Sequence, residues 1–180
     1  MNKYKEKMEA LQGYSVKESE DKSLGKEDIE SIQRRLNCTL PDDYVDFLVD
    51  YGCFAFKYYV GFPILDPRSL RKRGLLNVFF GFLPNDPYDL IHNHETYKGR
   101  MPSDLIPIAN DPGGNILCLS VKGQDEGTVY YWDHEEEEMV EEDEEPGYSN
   151  LYPVAKSFDD FINSLEIAKD MLFDEHDDQG

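Results

Sequence analysis

The 180-residue chain has few cysteines, and none of them suits a metal site. Cys38, Cys53 and Cys118 form no CxxC pair and no other spacing typical of metal ligands. An odd number of widely separated thiols is typical of a reducing compartment, in which disulfides do not persist. Cys118 lies in an apolar stretch and is predicted to be a buried strand residue. The sequence therefore predicts neither a disulfide framework nor a zinc-binding domain.

The chain also lacks a long apolar run. No segment approaches the roughly 20 consecutive apolar residues that cross a bilayer. The lysine-rich first eight residues are not followed by an apolar stretch, so no secretory signal is evident. We therefore expect a cytoplasmic protein that does not bind membranes.

Basic residues are scarce relative to acidic ones. Eighteen Lys and Arg stand against 38 Asp and Glu, which gives a formal net charge of −20 at pH 7. Within a screening length of roughly 8 Å, this charge repels nucleic acid and anionic membranes and attracts basic partners. The alternative is that the charge serves solubility alone. Ten Phe and twelve Tyr argue against wholesale disorder, because they can fill a core.

Composition divides the chain into three parts. Residues 1–22 are highly charged, and a glycine interrupts their short helical pattern, so we predict an N-terminal extension that is separable from the core. Residues 23–173 are predicted to form a single domain that contains an acidic loop at 135–147. Residues 174–180 are polar and are predicted to be a frayed acidic tail.

Two helices are predicted in the first part of the domain. Ile29, Ile32 and Leu36 fall on one face of the first helix. Pro41 cannot continue that helix but suits the first position of a second one. The apolar residues of this second helix follow an i, i+3, i+4, i+7 pattern: Tyr44, Phe47, Leu48 and Tyr51. Gly52 is a natural C-terminal stop.

Strand-like segments fill much of the remaining chain. Residues 53–65 and 75–83 are rich in aromatic and β-branched side chains, whereas 87–101 is ambiguous between a short helix and a loop. Ser157 is predicted to cap a last helix. An antiparallel meander is predicted from three strands: 105–109, 116–121 and 128–132.

The stretch Asn110-Asp-Pro-Gly-Gly-Asn115 is predicted to be the first turn of this meander. Pro112 would supply the fixed φ of the second turn position and Gly113 the positive φ of the third. The alternating oxygen ligands and terminal Glu of an EF-hand are missing, which argues against a calcium loop. A phosphate cradle would need a helix after the two glycines, and a strand follows them instead.

Nine carboxylates occur in the eleven residues from Glu135 to Glu145. Adjacent carboxylates repel and have no basic neighbours in the sequence, so we predict a solvated loop. Tyr130 and Trp132 precede this loop on one face of a strand. Either they anchor a protein interface with a charged rim, or they pack under the last helix. The interface arrangement would use these partner-binding residues: Tyr130, Trp132, Asp133, Glu135, Glu136, Glu137, Glu138, Glu141, Glu142, Asp143, Glu144 and Glu145.

The order of these motifs resembles the SUKH superfamily, which includes fungal regulators of cell-wall glucan synthesis and many bacterial immunity proteins. Leu40-Pro-Asp-Asp-Tyr-Val-Asp-Phe-Leu48, leading to Tyr51-Gly52, resembles its opening signature. The later similarity lies in Leu105-Ile-Pro-Ile-Ala109, Gly113-Gly114-Asn115, Val129-Tyr-Tyr-Trp-Asp-His134 and Ser157-Phe-Asp-Asp-Phe161. Over about residues 24–168, the resemblance implies an α+β single domain, with an antiparallel or mixed sheet flanked by helices and no catalytic centre.

Two pairs of residues suggest chemistry, and both have a simpler interpretation. His92 and His94 could share a strand face and bind a metal, but no third ligand stands at a defined spacing, so surface histidines are expected. Asp133 and His134 could suggest an acid–base pair, but neighbouring strand residues point to opposite faces. The sequence therefore predicts no catalytic residue, no metal site and no cofactor.

These observations lead to two hypotheses of different classes. The first is a cytoplasmic immunity-type protein, not an enzyme, that neutralises a cognate basic toxin of the nuclease type by binding it directly. The resemblance implies this role, because many bacterial members bind a toxin made by the same or a neighbouring locus. The second is a regulatory scaffold of the kind that the fungal relatives suggest.

Overall fold

A computed structural model of the chain describes residues 2–16, 24–141 and 143–169. Within these ranges, helices flank one antiparallel sheet. The helices are α1 Lys5–Ala10, α2 Lys26–Leu36, α3 Asp42–Tyr51, α4 Leu90–Tyr97 and α5 Phe158–Ser164. The strands are β1 Gly13–Ser15, β2 Phe54–Pro63, β3 Arg73–Phe79, β4 Leu105–Asn110, β5 Ile116–Ser120, β6 Val129–Trp132, β7 Leu151–Ala155 and β8 Glu166–Ile167. The predicted α+β class is confirmed.

Strands β1 to β7 lie side by side in chain order, and β8 pairs with β2. The predicted meander is confirmed as β4, β5 and β6, in which Leu117 pairs with Tyr131 and Ile116 with Trp132. The pairing of Ile116 with Trp132 places the end of β6 beside the 111–115 turn. The chain therefore leaves the sheet at that turn when it enters its acidic stretch.

Helices α2 and α3 form where their apolar periodicity predicts them. Ile29, Ile32 and Leu36 of α2 are buried, and so is the Phe47 face of α3. Pro41 has an extended ψ of 141° and therefore lies just before α3, not at its first helical position. Gly52 ends α3 with a φ of 58°, which glycine adopts at little cost.

An aromatic cluster forms the centre of the core between α3, α5 and the sheet. The ring of Phe47 lies 4.6 Å from that of Phe79 and 5.2 Å from that of Phe158, between centroids. These three side chains have 0% exposure to solvent. Offset and edge-to-face contacts of this kind add to the stabilisation that comes from burying the rings.

The N-terminal residues belong to the domain, contrary to the predicted boundary at residue 22. Tyr4, Met8 and Leu11 are buried in the same core as the sheet, and β1 pairs with β2. Gly13, interpreted above as a helix breaker, is a strand residue, and a Cβ there would lie 2.1 Å from a ring atom of Phe54. The helical spacing of Tyr4, Met8 and Leu11 indicated a short helix, but it did not show which surface of the domain this helix would cover. The predicted tail at 174–180 lies outside the described residues.

None of the helices in the described part of the chain has the length and apolar character needed to cross a bilayer.

Candidate functional site

The acidic segment, defined as residues 133–145, begins as ordered structure where β6 ends. Asp133 is 5% exposed, and its carboxylate accepts a hydrogen bond from the Glu135 N–H at 3.1 Å, which caps a 3₁₀ turn at His134–Glu136. Its backbone N–H donates to the Asn150 carbonyl at 3.0 Å, and the Asn150 side chain donates back at 2.9 Å. The start of the segment is therefore fixed to the chain that leads into β7.

Asp111, in the β4–β5 turn, is linked through hydrogen bonds to the start of the acidic segment. The residue is 8% exposed, and its carboxylate accepts hydrogen bonds from the N–H groups of Gly113 and Asn115 at 2.7 and 2.8 Å. It also accepts from the Tyr131 hydroxyl at 2.8 Å. Burial, followed by the charge of Asp111, raises the pKa of Tyr131, so this hydroxyl stays protonated as a donor. The Asn115 side-chain oxygen in turn accepts from the backbone N–H of His134 at 3.0 Å.

The predicted turn is present, but the positive φ occurs at a different glycine from the one predicted. The N–H of Gly114 donates to the Asp111 carbonyl at 3.4 Å, and the positive φ of 93° belongs to Gly114, not to Gly113. The assignment to Gly113 was wrong because the Asp111 carboxylate binds the Gly113 N–H and fixes a different turn. A side chain at the first turn position has determined the geometry here.

Two arginines attach the acidic segment to the body of the protein. Arg71, in the β2–β3 loop, bridges Asp133 at 3.1 Å and Glu135 at 2.9 Å. Arg100, after α4, makes a two-point contact with Glu137 at 2.9 and 2.7 Å. Its guanidinium carbon also lies 5.3 Å from the centroid of the Trp132 ring. These partners are 62 and 37 residues away in the chain, which is why the sequence alone suggested carboxylates without basic neighbours.

The segment is attached at its far end as well. The backbone N–H of Ser103 donates to the Glu145 carboxylate at 2.7 Å, whereas the Tyr152 hydroxyl adds a further contact near the start, to Glu136. The prediction of a wholly solvated loop is therefore wrong at both ends. Between these attachments, four of the described carboxylates are exposed: Glu138, Glu141, Asp143 and Glu144. Glu142, which was also predicted to bind the partner, lies outside the described residues.

The two predicted aromatic anchors do not form an exposed pair. Trp132 is 1% exposed and packs edge-on against Tyr97 of α4, with ring centroids 5.6 Å apart. It cannot contact a partner in this arrangement, and it lies under α4, not under the last helix. Tyr130 is half-buried, and its hydroxyl donates to Asp125 at 2.7 Å. The alternation of side chains along β6 does not predict which of them are buried, because Trp132 and Tyr131, on opposite faces of the strand, are both buried.

The histidines and cysteines are not arranged for the chemistry weighed above. His92 and His94 lie on α4, where a spacing of two residues places side chains on different faces. The described ranges contain no group of three or more His, Cys, Asp or Glu side chains placed to hold a metal ion. Burial raises the pKa of Cys53 to about 12 and that of Cys118 still further, so both thiols stay protonated and unreactive near neutral pH.

Comparison with known proteins agrees with the fold and with the order of the motifs. Residues 24–164 match the SMI1 / KNR4 family (SUKH-1). The chain belongs to this family. A relative in Bacillus subtilis (strain 168), the SPbeta prophage-derived uncharacterized protein YokK, is 31% identical over 165 residues, which covers 84% of this chain and 79% of the relative. The SUKH-1 match runs from the approach to α2 to the end of α5, so α1, which buries Met8, and β1 lie outside it.

Proposed function

We propose that this SUKH-1 protein is an immunity-type binding protein that neutralises a basic toxin of the nuclease class by covering its active site. The observation that carries the proposal is the attachment of the acidic segment at both ends. Arg71 and Arg100 fix its first residues, and Ser103 fixes Glu145. The exposed carboxylates lie between these two points of attachment, so the segment that carries them is not a free tail.

A row of carboxylates on a segment that is attached at both ends favours rapid association with a basic partner. Complementary charge raises association rates toward about 10⁸–10⁹ M⁻¹s⁻¹ at low salt, and the effect weakens as salt screens it. Prior ordering also reduces the entropy lost on binding. A nuclease uses cationic side chains to bind a polyanion, so this row of carboxylates can compete for the same groups.

Membership of the SUKH-1 family supports binding as the general role, because the resemblance implies binding and not catalysis. The relative whose description places it in a prophage supports the immunity version, because toxin and immunity genes can travel together on a mobile element. Protonated buried thiols also disfavour nucleophilic cysteine chemistry.

The test is co-expression with a candidate basic toxin domain chosen from the neighbouring genes, followed by growth rescue and co-purification. We expect rescue and a stable complex for the wild-type protein and weaker rescue when the exposed carboxylates become amides: Glu138→Gln, Glu141→Gln, Asp143→Asn and Glu144→Gln. A control of equal charge change uses exposed residues of α1 and α3: Glu6→Gln, Glu9→Gln, Asp46→Asn and Asp50→Asn.

The control variant should rescue like the wild type. Equal loss in both variants would show that net charge, not the acidic segment, carries the effect. No rescue and no complex, with both proteins folded, would contradict neutralisation of that toxin and favour the regulatory scaffold.

A further inference from the structure

Two large apolar side chains next to the acidic carboxylates are almost completely exposed. Met139, in the middle of the acidic segment, has a relative exposure of 101%, and Leu70, in the β2–β3 loop, has 91%. Single exposed apolar residues are common on protein surfaces. These two differ because both lie beside the attached part of the same acidic surface.

Both side chains lie near the attached carboxylates. Leu70 lines a surface hollow of about 260 Å³ together with Arg71, Asp133, Glu135, Glu136 and Tyr152. Met139 follows Glu136 by three residues, so their Cα atoms are at most roughly 11 Å apart. One apolar side chain therefore lies at the hollow, and the other lies a short distance along the segment.

The loop that carries Leu70 is held in a defined conformation. The Ile64 N–H donates to the Lys72 carbonyl at 3.0 Å and closes the base of the loop. The Asp66 carboxylate accepts from the Arg68 N–H at 2.9 Å, and the Arg68 guanidinium reaches the Leu151 carbonyl at 2.9 Å. Leu70 is therefore presented by an ordered loop, which lowers the entropy cost of using it in an interface.

The charge around the two side chains favours a basic partner. Residues 64–73 and 133–145 together contain eleven carboxylates and four Lys or Arg. Arg68 pairs with Asp66 at 2.8 Å, and Arg71 is held by the acidic segment itself. Lys72 and Arg73 lie at the base of the loop, where β3 begins. The excess of negative charge therefore lies on the acidic segment, which contains Met139 and has Leu70 beside its first residues.

We propose that Met139 and Leu70 are the apolar anchors of the partner interface. They take the anchoring role that the sequence analysis suggested for Trp132. The partner would be a protein with an apolar surface patch that is rimmed by Lys and Arg. Interfaces commonly concentrate their binding energy in a few side chains, and an unbranched Met adapts readily to the shape of an apolar partner surface. This inference rests on the proposed function and adds the residues that carry the contact.

A defined probe tests the anchors without the natural partner. Two synthetic peptides of equal length and equal lysine content are compared, one with leucines at helical spacing and the other with serine at each leucine. Their dissociation constants for the full-length protein are measured by fluorescence anisotropy at fixed salt. We expect the wild type to bind the leucine peptide more tightly, and the Met139→Ser/Leu70→Ser variant to lose roughly tenfold of that affinity.

The matched control is Leu65→Ser, because Leu65 is in the same loop and is 84% exposed but does not line the hollow. Leu65→Ser and Met139→Leu should keep the preference of the wild type. Equal binding of the two peptides by the wild type, or a preference that survives in the double variant, would overturn the proposal.

The same variants separate this inference from the proposed function. Growth rescue that is equal for the wild type and the double variant, without a peptide preference, would leave the immunity function standing and refute the anchors. A peptide preference that the double variant loses, without rescue from the neighbouring toxin, would support the anchors and count against that toxin as the partner. All the substituted side chains are exposed, so the melting temperature should not change.

Discussion

The aromatic cluster and the acidic segment are held in place by opposite kinds of interaction. Phe47, Phe79 and Phe158 pack in contact with one another, away from water. The acidic segment instead depends on a few directional contacts, of which the most important come from Arg71 and Arg100. We therefore expect that the proposed binding surface can be altered without loss of the fold.

The largest effect is expected in the aromatic cluster. Phe47→Ala removes a ring with 0% exposure and leaves a cavity among its neighbours, so the free energy of unfolding should fall by about 3–5 kcal/mol. Urea denaturation measures this change. Tyr59→Ala, at a half-exposed position, is the control and should change stability by less than about 0.5 kcal/mol. A loss no larger than that of the control would show that the cluster is not the centre of stability.

A smaller loss is expected at Asp111, which connects the sheet to the acidic segment. Asp111→Ala leaves the Tyr131 hydroxyl without its buried acceptor and removes one of the two acceptors of the Asn115 side-chain amide, and should cost about 2–3 kcal/mol. Hydrogen exchange should also become faster at the His134 amide, which depends on Asn115. Unchanged exchange at the His134 amide would show that the turn does not stabilise the start of the acidic segment, and would contradict this connection.

The arginine contacts should affect the order of the segment more than the stability of the fold. Arg71→Ala and Arg100→Ala are each expected to cost only about 1 kcal/mol, because both arginines are partly exposed. Hydrogen exchange of the Glu135–Glu138 amides should nevertheless increase, while amides of β5 stay protected. Arg34→Ala, an exposed change on α2, is the control and should affect neither region. An acidic segment that stays equally protected in both arginine variants would contradict the proposed attachment.

The smallest effect concerns Asp159, which ties α5 to the N-terminal helix. Burial by itself would raise the pKa of Asp159, but hydrogen bonds from Lys3 and Tyr4 leave it below its usual value. A lowered folded-state pKa contributes stability above the unfolded value of about 3.9, and that contribution disappears as the pH falls through the folded-state value. Asp159→Asn should therefore lower the melting temperature at neutral pH, and the difference should vanish in strong acid. A difference that grows on acidification would reverse the sign and contradict this account.

Local patterns explain which parts of the fold were predictable. Helices α2 and α3 and the β4–β6 meander follow from residue periodicity and from stop signals such as Gly52, which act within a few residues. The Ser157 cap is equally local, since its hydroxyl accepts from the Asp160 N–H at 3.0 Å. The burial of α1 required knowledge of the surface that covers it, which a short charged segment does not contain.

The candidate site was predicted only in part, because the sequence shows local patterns but not the contacts between distant residues. The run of carboxylates is visible in the sequence, but the side chains that attach it, Arg71 and Arg100, come from distant loops. The burial of Trp132 depends on α4 covering one face of the sheet, and alternation within β6 cannot reveal this. Exposed Met139 and Leu70 carry no periodic signal, so their accessibility emerges only from the folded chain.

The most direct test of the acidic surface is the association rate with a basic nuclease domain that the protein neutralises in the co-expression test, measured by stopped flow over a series of salt concentrations. The wild-type rate should fall steeply as salt increases. The variant with amides at Glu138, Glu141, Asp143 and Glu144 should associate more slowly at low salt and approach the wild type at high salt, with a smaller change in dissociation. Equal association rates at every salt concentration would contradict a role for the acidic segment in steering a basic partner.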